Sequence, residues 1–276
     1  MKKALVYRSA RNHPKTYKIM GPIAVGLEKI GYHVTFRESW HYPQGDESEA
    51  DLLAIWGDFH GTEKIYADRT KFKRLLHIDN GYMARGHHRG YYSVTYGDKQ
   101  ILQELWHGPT PTPERFQQLN LPLNRWRKSG SRVLALGLSR KQCLNLGVDY
   151  PVINKELAEL IRARTGMITV LREKKYDNGI VPLATVLEEK WHSVVGFHTK
   201  GLIESLLAGI PIVALDPCAV HLMGRPTVAA MIPPYYPENR SDFFARLAYH
   251  QWTLDEITAG DPWRKGCPLR VLGEIE

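Results

Sequence analysis

Residues His192–Asp216 read HSVVGFHTKGLIESLLAGIPIVALD, and the fold follows from how this stretch divides. Ser193–Val195 is a short apolar strand and His198-Thr199-Lys200-Gly201 a polar turn. Gly201–Leu207 has helical spacing, Gly209-Ile210-Pro211 breaks it, and Pro211–Leu215 is a second strand. A strand, helix and strand joined this tightly form a βαβ unit, whose two strands run parallel. The turn opens the helix, where backbone N–H groups lack intrahelical partners and the helix dipole is positive. A hydroxyl, a lysine and a glycine suit a phosphate there, because glycine lets the backbone approach and lysine adds charge. His198, Thr199, Lys200 and Gly201 are therefore donor-binding candidates. Glu204 joins them, one helical turn on and within reach of ribose hydroxyls. Such a ligand lies outside the carboxyl ends of parallel strands.

Outward from this unit the same rhythm repeats. Arg132–Gly137 is expected as a strand, Val152–Thr165 as a helix, Met167–Leu171 as a strand and Leu183–Lys190 as a short helix. In the first half, Ala4–Tyr7, His33–Phe36, Asp51–Trp56, Lys71–Asp79 and Tyr91–Tyr96 read as strand-bearing stretches, with a helix over Tyr17–Ile30 closed by Gly31. His107–Pro113 is rich in proline and marks a linker, continued by Leu121-Pro122-Leu123. Ser241–Ile257 reads as one amphipathic helix ending at Gly260. The expected architecture is α/β, with two Rossmann-like doubly wound domains over 1–128 and 129–249 and a tail, 250–276, packing back on the first.

Composition narrows the function classes. At 276 residues the chain exceeds one ordinary core, and 43% hydrophobic with 24% charged residues describes a globular protein. No apolar run approaches the roughly 20 residues that span a bilayer. The apolar start at Ala4–Tyr7 ends at Arg8, too soon for a signal peptide, so a first strand and no membrane contact are expected. Cys143, Cys218 and Cys267 stand apart without a CxxC pair, which suits a reducing cytoplasm. Twelve histidines form neither HExxH nor HxH, and no metal is expected. A net charge of +8 points to a polyanionic partner. Arg8, Arg11, Lys15 and Lys18 form one basic group and Arg85, His87, His88 and Arg89 another, with Tyr17, Tyr82, Tyr91 and Tyr92 interleaved.

Two loops could supply a general base. Trp56-Gly57-Asp58-Phe59-His60-Gly61 follows an apolar strand and presents Asp58 and His60, and Asp79 ends another strand before Asn80-Gly81. The competing reading of each carboxylate is an Asx turn.

The 192–216 stretch resembles the C-terminal signature of GT-B glycosyltransferases, in which a small-residue turn, a helix-borne Glu and "GxP" before a strand bind a nucleoside diphosphate. The resemblance implies two domains facing a central cleft and transfer from a nucleoside-diphosphate sugar, a UDP-sugar being favoured, with no cofactor. The commonest form of the signature carries an acidic residue seven positions before the Glu, where this chain has Phe197. It also implies a basic residue on the loop after the second domain's first strand, here Ser139-Arg140-Lys141, neutralising the leaving diphosphate. Arg172 completes the donor set. No DxD triplet is evident near a strand end, so a metal-independent, inverting monomer is expected. Size, charge and layout further resemble the DNA-modifying sugar transferases of bacteriophages, implying a 5-hydroxymethylated pyrimidine in double-stranded DNA as acceptor, in a host cytoplasm. A cell-surface glycan acceptor, or a non-catalytic nucleic-acid-binding protein with a decayed nucleotide pocket, are the alternatives. An oxidoreductase fits poorly, because no GxGxxG follows Ala4–Tyr7 or Arg132–Gly137.

Overall fold

The computed structural model describes residues 1–8, 14–57, 61–83, 90–96, 111–128, 130–173, 181–197 and 199–264. They belong to two compact units, Met1–Leu119 with Phe244–Glu276, and Asn120–Phe243.

The first unit opens with β1 (Lys2–Arg8), α1 (Pro14–Lys29) and β2 (Tyr32–Glu38), followed by β3 (Leu52–Trp56), α2 (Glu63–Ala67), β4 (Leu75–Asn80), β5 (Tyr91–Tyr96) and α3 (Glu114–Gln118). All five residues of β3 are buried, as a strand covered on both faces requires. β2, β1, β3 and β4 run parallel, whereas β5 is antiparallel to β4. α1 lays Ile19, Met20, Ile23 and Leu27 on Ala4, Val6, Leu52 and Ala54.

The second unit contains β6 (Arg132–Leu136), α4 (Arg140–Leu146), α5 (Tyr150–Thr165), β7 (Ile168–Arg172), α6 (Leu183–Val186), β8 (Trp191–Gly196), α7 (Lys200–Leu207) and β9 (Ile212–Ala214). Its four strands are all parallel, in the order β7-β6-β8-β9. Val133, Ala135, Val195 and Val213 pack with Leu157 and Ile161 of α5. The protein is thus α/β with two mostly parallel sheets. No helix among the described residues is long and apolar enough to cross a membrane.

Several elements differ from the sequence expectation. The single helix expected over Ser241–Ile257 is instead α8 (Arg240–Ala248), β10 (Gln251–Thr253) and α9 (Leu254–Ala259). One local and one long-range interaction make the break: Thr253 and Glu256 form a capping box that starts α9, and β10 pairs antiparallel with β5. The first sheet therefore has six strands, in the order β10-β5-β4-β3-β1-β2. α9 then meets α1 so closely that a Cβ on Gly26 would overlap the Ile257 carbonyl. The helix expected over Leu183–Lys190 stops at Val186, where Glu188 and Glu189 turn back and the Trp191 indole N–H donates to the Val186 carbonyl (2.7 Å). Residues 120–128 go with the second unit rather than the first. The Asn124 N–H donates to the Leu207 carbonyl (2.9 Å) and the Arg127 N–H to the Gly209 carbonyl (2.8 Å).

One buried side chain ties the C-terminal return to α3. Arg115 of α3 donates through Nε to the Ala248 carbonyl (2.9 Å) and through Nη2 to the Gln251 carbonyl (2.7 Å). It also forms a two-pronged pair with Glu256 (2.8 and 3.0 Å), while the guanidinium lies 3.6 Å from the Trp252 ring centroid. His250 in the same return is wholly buried, and desolvation pushes its imidazole down to about 4. Arg115→Ala strands two carbonyls and leaves the partly buried Glu256 charge without its cation, so chemical denaturation is expected to show a loss of about 3–5 kcal/mol. A loss below about 1 kcal/mol would mean the clamp is incidental.

Candidate functional site

In an open α/β sheet the crevice opens where strand order reverses. In the second unit that point lies between β6 and β8: the chain runs outward from β6 to β7, then returns past β6 to add β8 and β9. The 137–141 loop follows β6 and the 197–200 turn follows β8, so the two donor segments leave neighbouring strands at the same sheet edge.

The second segment is built tightly. α7 starts at Lys200 with Thr199 as N-cap, its Oγ1 accepting from the Gly201 N–H (3.3 Å). The cap uses the hydroxyl oxygen as acceptor and leaves its proton to donate. A Cβ on Gly201 would come within 2.7 Å of Leu136 Cδ1, and one on Gly196 would touch both Thr199 and Leu136. Both glycines therefore let the start of α7 settle directly over the end of β6. Lys200 and Glu204 are both partly buried, one turn apart. Phe197 packs on the Val195 and Val213 core, so an apolar side chain stands where the signature carries an acid. His198 lies outside the described residues.

The first segment is held differently. Ser139 caps α4 and forms a capping box with Gln142, and it is buried. Arg140 is exposed, with its guanidinium 5.6 Å from the Tyr150 ring centroid. The Tyr150 phenol in turn bonds Glu173, and desolvation by burial is the leading reason that its pKa rises. The backbone of Lys141 is in α4; its side chain lies outside the described residues. Arg172 closes β7 with Nη2 donating to the Val181 carbonyl (2.7 Å), and its carbonyl accepts from the Gly137 N–H (3.0 Å).

Asn154 positions this loop and was missed in the sequence. It is buried on α5, accepts from the Leu138 N–H (2.8 Å) and donates to the Leu138 carbonyl (3.1 Å). Gly137 makes room for it, since a Cβ there would lie 2.8 Å from Asn154 Oδ1. The signal was present: Asn154 shares a helical face with Leu157, Ala158 and Ile161, and a buried amide needs partners. The "GxP" motif also gains a structural role. Gly209 adopts φ +76°, and a Cβ there would overlap the Arg125 carbonyl.

In the first unit the strand order reverses between β1 and β3. Arg8 ends β1, pairs with Glu38 (3.1 Å) and lies between the rings of Tyr17 (4.9 Å) and Phe36 (4.6 Å). Gly57 follows β3, while Asp58 and His60 lie outside the described residues. Asp79 sits near the end of the neighbouring β4, partly buried, with Oδ1 accepting from the Asn80 N–H (2.7 Å). Asp79 and Asn80 pair with Ser93 and Tyr92 of β5, so the competing reading of a turn at 79–81 does not hold there. Tyr82 is buried, so its ring is not an exposed stacking surface. Lys15 has its backbone in the first turn of α1 and its side chain outside the described residues, as are Arg11, Arg85, His88 and Arg89. No group of three metal-ligating side chains occurs among the described residues.

No protein-family model matches the sequence, and no curated protein matches it. Among solved structures, Thermosulfurimonas dismutans KpsC, a beta Kdo 2,7 transferase, superposes with a TM-score of 0.53. It is 10% identical over 95% of this chain and 99% of that one. The fold is shared with that transferase. A sugar-binding transcriptional regulator of the LacI family from Enterococcus faecalis reaches a TM-score of only 0.25, at 12% identity over 94% of this chain and 90% of that one. A LacI-family regulator from Corynebacterium glutamicum reaches 0.23, at 10% identity over 91% and 90%. Likeness at that level carries no argument.

Asn154→Ala removes both bonds to Leu138 and leaves a buried N–H and carbonyl unpaired. Denaturant titration is expected to show a loss of about 2 kcal/mol, and Asn154→Asp, which turns an oxygen toward the Leu138 carbonyl in place of the amide donor, is expected to lose at least as much. Equal stability of all three proteins would contradict the positioning role.

Proposed function

We infer that this chain transfers a sugar from a nucleoside-diphosphate sugar, a UDP-sugar in the first instance, to a hydroxyl acceptor, in the manner of GT-B enzymes. The observation that carries this reading is the placement of Arg140 and Lys200 after neighbouring parallel strands, on either side of the strand-order reversal. The fold shared with a transferase supports it.

The chemistry follows from these groups. Departure of a diphosphate builds negative charge on the leaving oxygen, and preorganised cations stabilise it most where charge develops. Lys200 at the start of α7 and Arg140 over Tyr150 are those cations, which makes the proposed transfer metal-independent. Glu204 accepts from ribose hydroxyls. In an inverting transfer a base takes the acceptor hydroxyl proton as its oxygen attacks C1 and the C1–O bond to the diphosphate breaks. Asp79 is the described candidate for that base, with Asp58 and His60 after the adjacent strand.

The acceptor is read from charge alone. A net charge of +8 favours a polyanion, and double-stranded DNA with a 5-hydroxymethylated pyrimidine is the first proposal. A cell-surface glycan is the second, favoured by exposed aliphatic side chains at the edge that carries Arg140.

A thermal-shift screen with UDP, GDP, CDP and their sugars tests the donor. A matching nucleotide at about a hundredfold excess over Kd stabilises by about 2.7 kcal/mol. That stabilisation should vanish in the Arg140→Ala, Lys200→Ala double variant. Transfer assays on hydroxymethylated DNA, ordinary DNA and polysaccharide then separate the acceptors. Stabilisation by none of the nucleotides would overturn the reading.

A further inference from the structure

Arg140 is one of the two cations on which the transfer reading rests, yet its side chain is exposed at the start of α4. An exposed arginine samples many rotamers, and ordering it only when a ligand arrives costs affinity. A guanidinium already held in place avoids that cost, so whatever restrains Arg140 acts on the site.

The restraint comes from α5. Tyr150 and Asn154 are four residues apart and share one face of that helix. Asn154 fixes the loop backbone through both of its bonds to Leu138. Tyr150, the first residue of α5, turns its ring to the Arg140 guanidinium, with 5.6 Å to the centroid, within the range of a cation–π contact. One helical face thus meets the 137–141 loop twice, at its backbone and at its cation.

The ring is itself anchored. The Tyr150 phenol donates to the Glu173 carboxylate, and Glu173 directly follows β7. β7 is the neighbour of β6, with Arg172 in register with Leu136, so Glu173 leaves the sheet at the same edge as the Arg140 loop. Tyr150 and Glu173 are both partly buried. Desolvation of the phenol raises its pKa most, the Glu173 charge raises it further and the Arg140 charge lowers it. The phenol therefore keeps the proton it donates, and it lies within reach of both charges.

We propose that Tyr150 is a positioning residue for Arg140: its ring, tied to the end of β7 through Glu173, holds the guanidinium at the β6 edge for an incoming diphosphate. The diphosphate rests on the transfer reading, whereas the hold on Arg140 belongs to the free protein.

Two measurements on the full chain separate these. The first is a double-mutant cycle of Tyr150→Leu and Arg140→Ala, read by calorimetric titration with UDP. Tyr150→Leu is expected to weaken binding about two- to fivefold, the size of one cation–π contact, and to add no further loss once Arg140 is alanine. Tyr150→Phe, which keeps the ring and gives up its tie to Glu173, should fall between the native chain and Tyr150→Leu. Full affinity in Tyr150→Leu would overturn the proposal. So would an equal loss in both backgrounds, because a merely structural residue acts whether or not the arginine is present.

The second measurement needs no ligand. The Arg140 Nε–H resonance, assigned by its loss in Arg140→Ala, should report an ordered side chain by its heteronuclear NOE in the native protein and a mobile one in Tyr150→Leu. The same NOE in both proteins would overturn the proposal. If Tyr150→Leu does not fold, Tyr150→Phe carries both comparisons with smaller changes expected. Failure of the native chain to bind UDP would sink the transfer reading, and the NOE alone would then decide whether Tyr150 holds Arg140.

Discussion

Buried parallel strands cannot be joined by a tight turn, so each connection of the second sheet crosses a face and every strand releases its following loop at one edge. From this constraint the candidate site follows. β6 and β8 are neighbours although β7 lies between them in sequence, and the loops after them carry Arg140 and Lys200. Small residues make the edge usable. Gly196 and Gly201 bring α7 down onto Leu136, and Gly137 admits the Asn154 amide that holds the 137–139 backbone. The sheet supplies the direction, and three missing side chains supply the approach.

Two buried arginines secure the chain where it changes units. Arg115 precedes the exit at Leu119 and ties α3 to the returning strand and helix. Arg240 precedes the exit at Phe243. It donates to the Leu206 carbonyl (2.9 Å) and to the Asn124 carbonyl, with its guanidinium 3.9 Å from the Trp126 ring centroid. Each uses several of the five guanidinium donors on carbonyls at helix ends, at the start of β10 or in irregular backbone, and each stacks on an indole. A lysine has its three donors at one point and no planar face, so it could not reach these separated carbonyls while lying flat on the indole. For Arg240 burial lowers the pKa, yet the side chain gains by capping α7, whose opposite end is the candidate phosphate site.

What was legible in the sequence was local. The 192–216 unit could be read because strand, turn and helix follow one another without a tertiary partner deciding among them. The start of α7 at Lys200 departs by one residue from the expected Gly201. β10 was not legible: Gln251-Trp252-Thr253 continues an apolar spacing, and only pairing with β5 makes it a strand. α4 was overlooked although Ser139 and Gln142 spell a capping box and Gly147 a helix end, because seven residues make only about two turns and lack a clear apolar stripe. Asn154 carried only the signal of its place on the apolar face of α5, and Arg115 carried none. Their roles arise from carbonyls and N–H groups, which the side-chain alphabet does not display. Exposure was equally hidden, since nothing in the sequence marks Leu144 and Leu146 as facing solvent.

The central claim is that the β6–β8 edge of the second sheet holds the diphosphate of a nucleotide sugar. Hydrogen–deuterium exchange on the full chain with saturating UDP measures this directly, since it reports each segment's backbone protection. The account predicts slower exchange in both 137–142 and 199–204, with little change in the first unit's strands. Protection confined to other segments, or none in either loop while UDP binding is saturated, would contradict it.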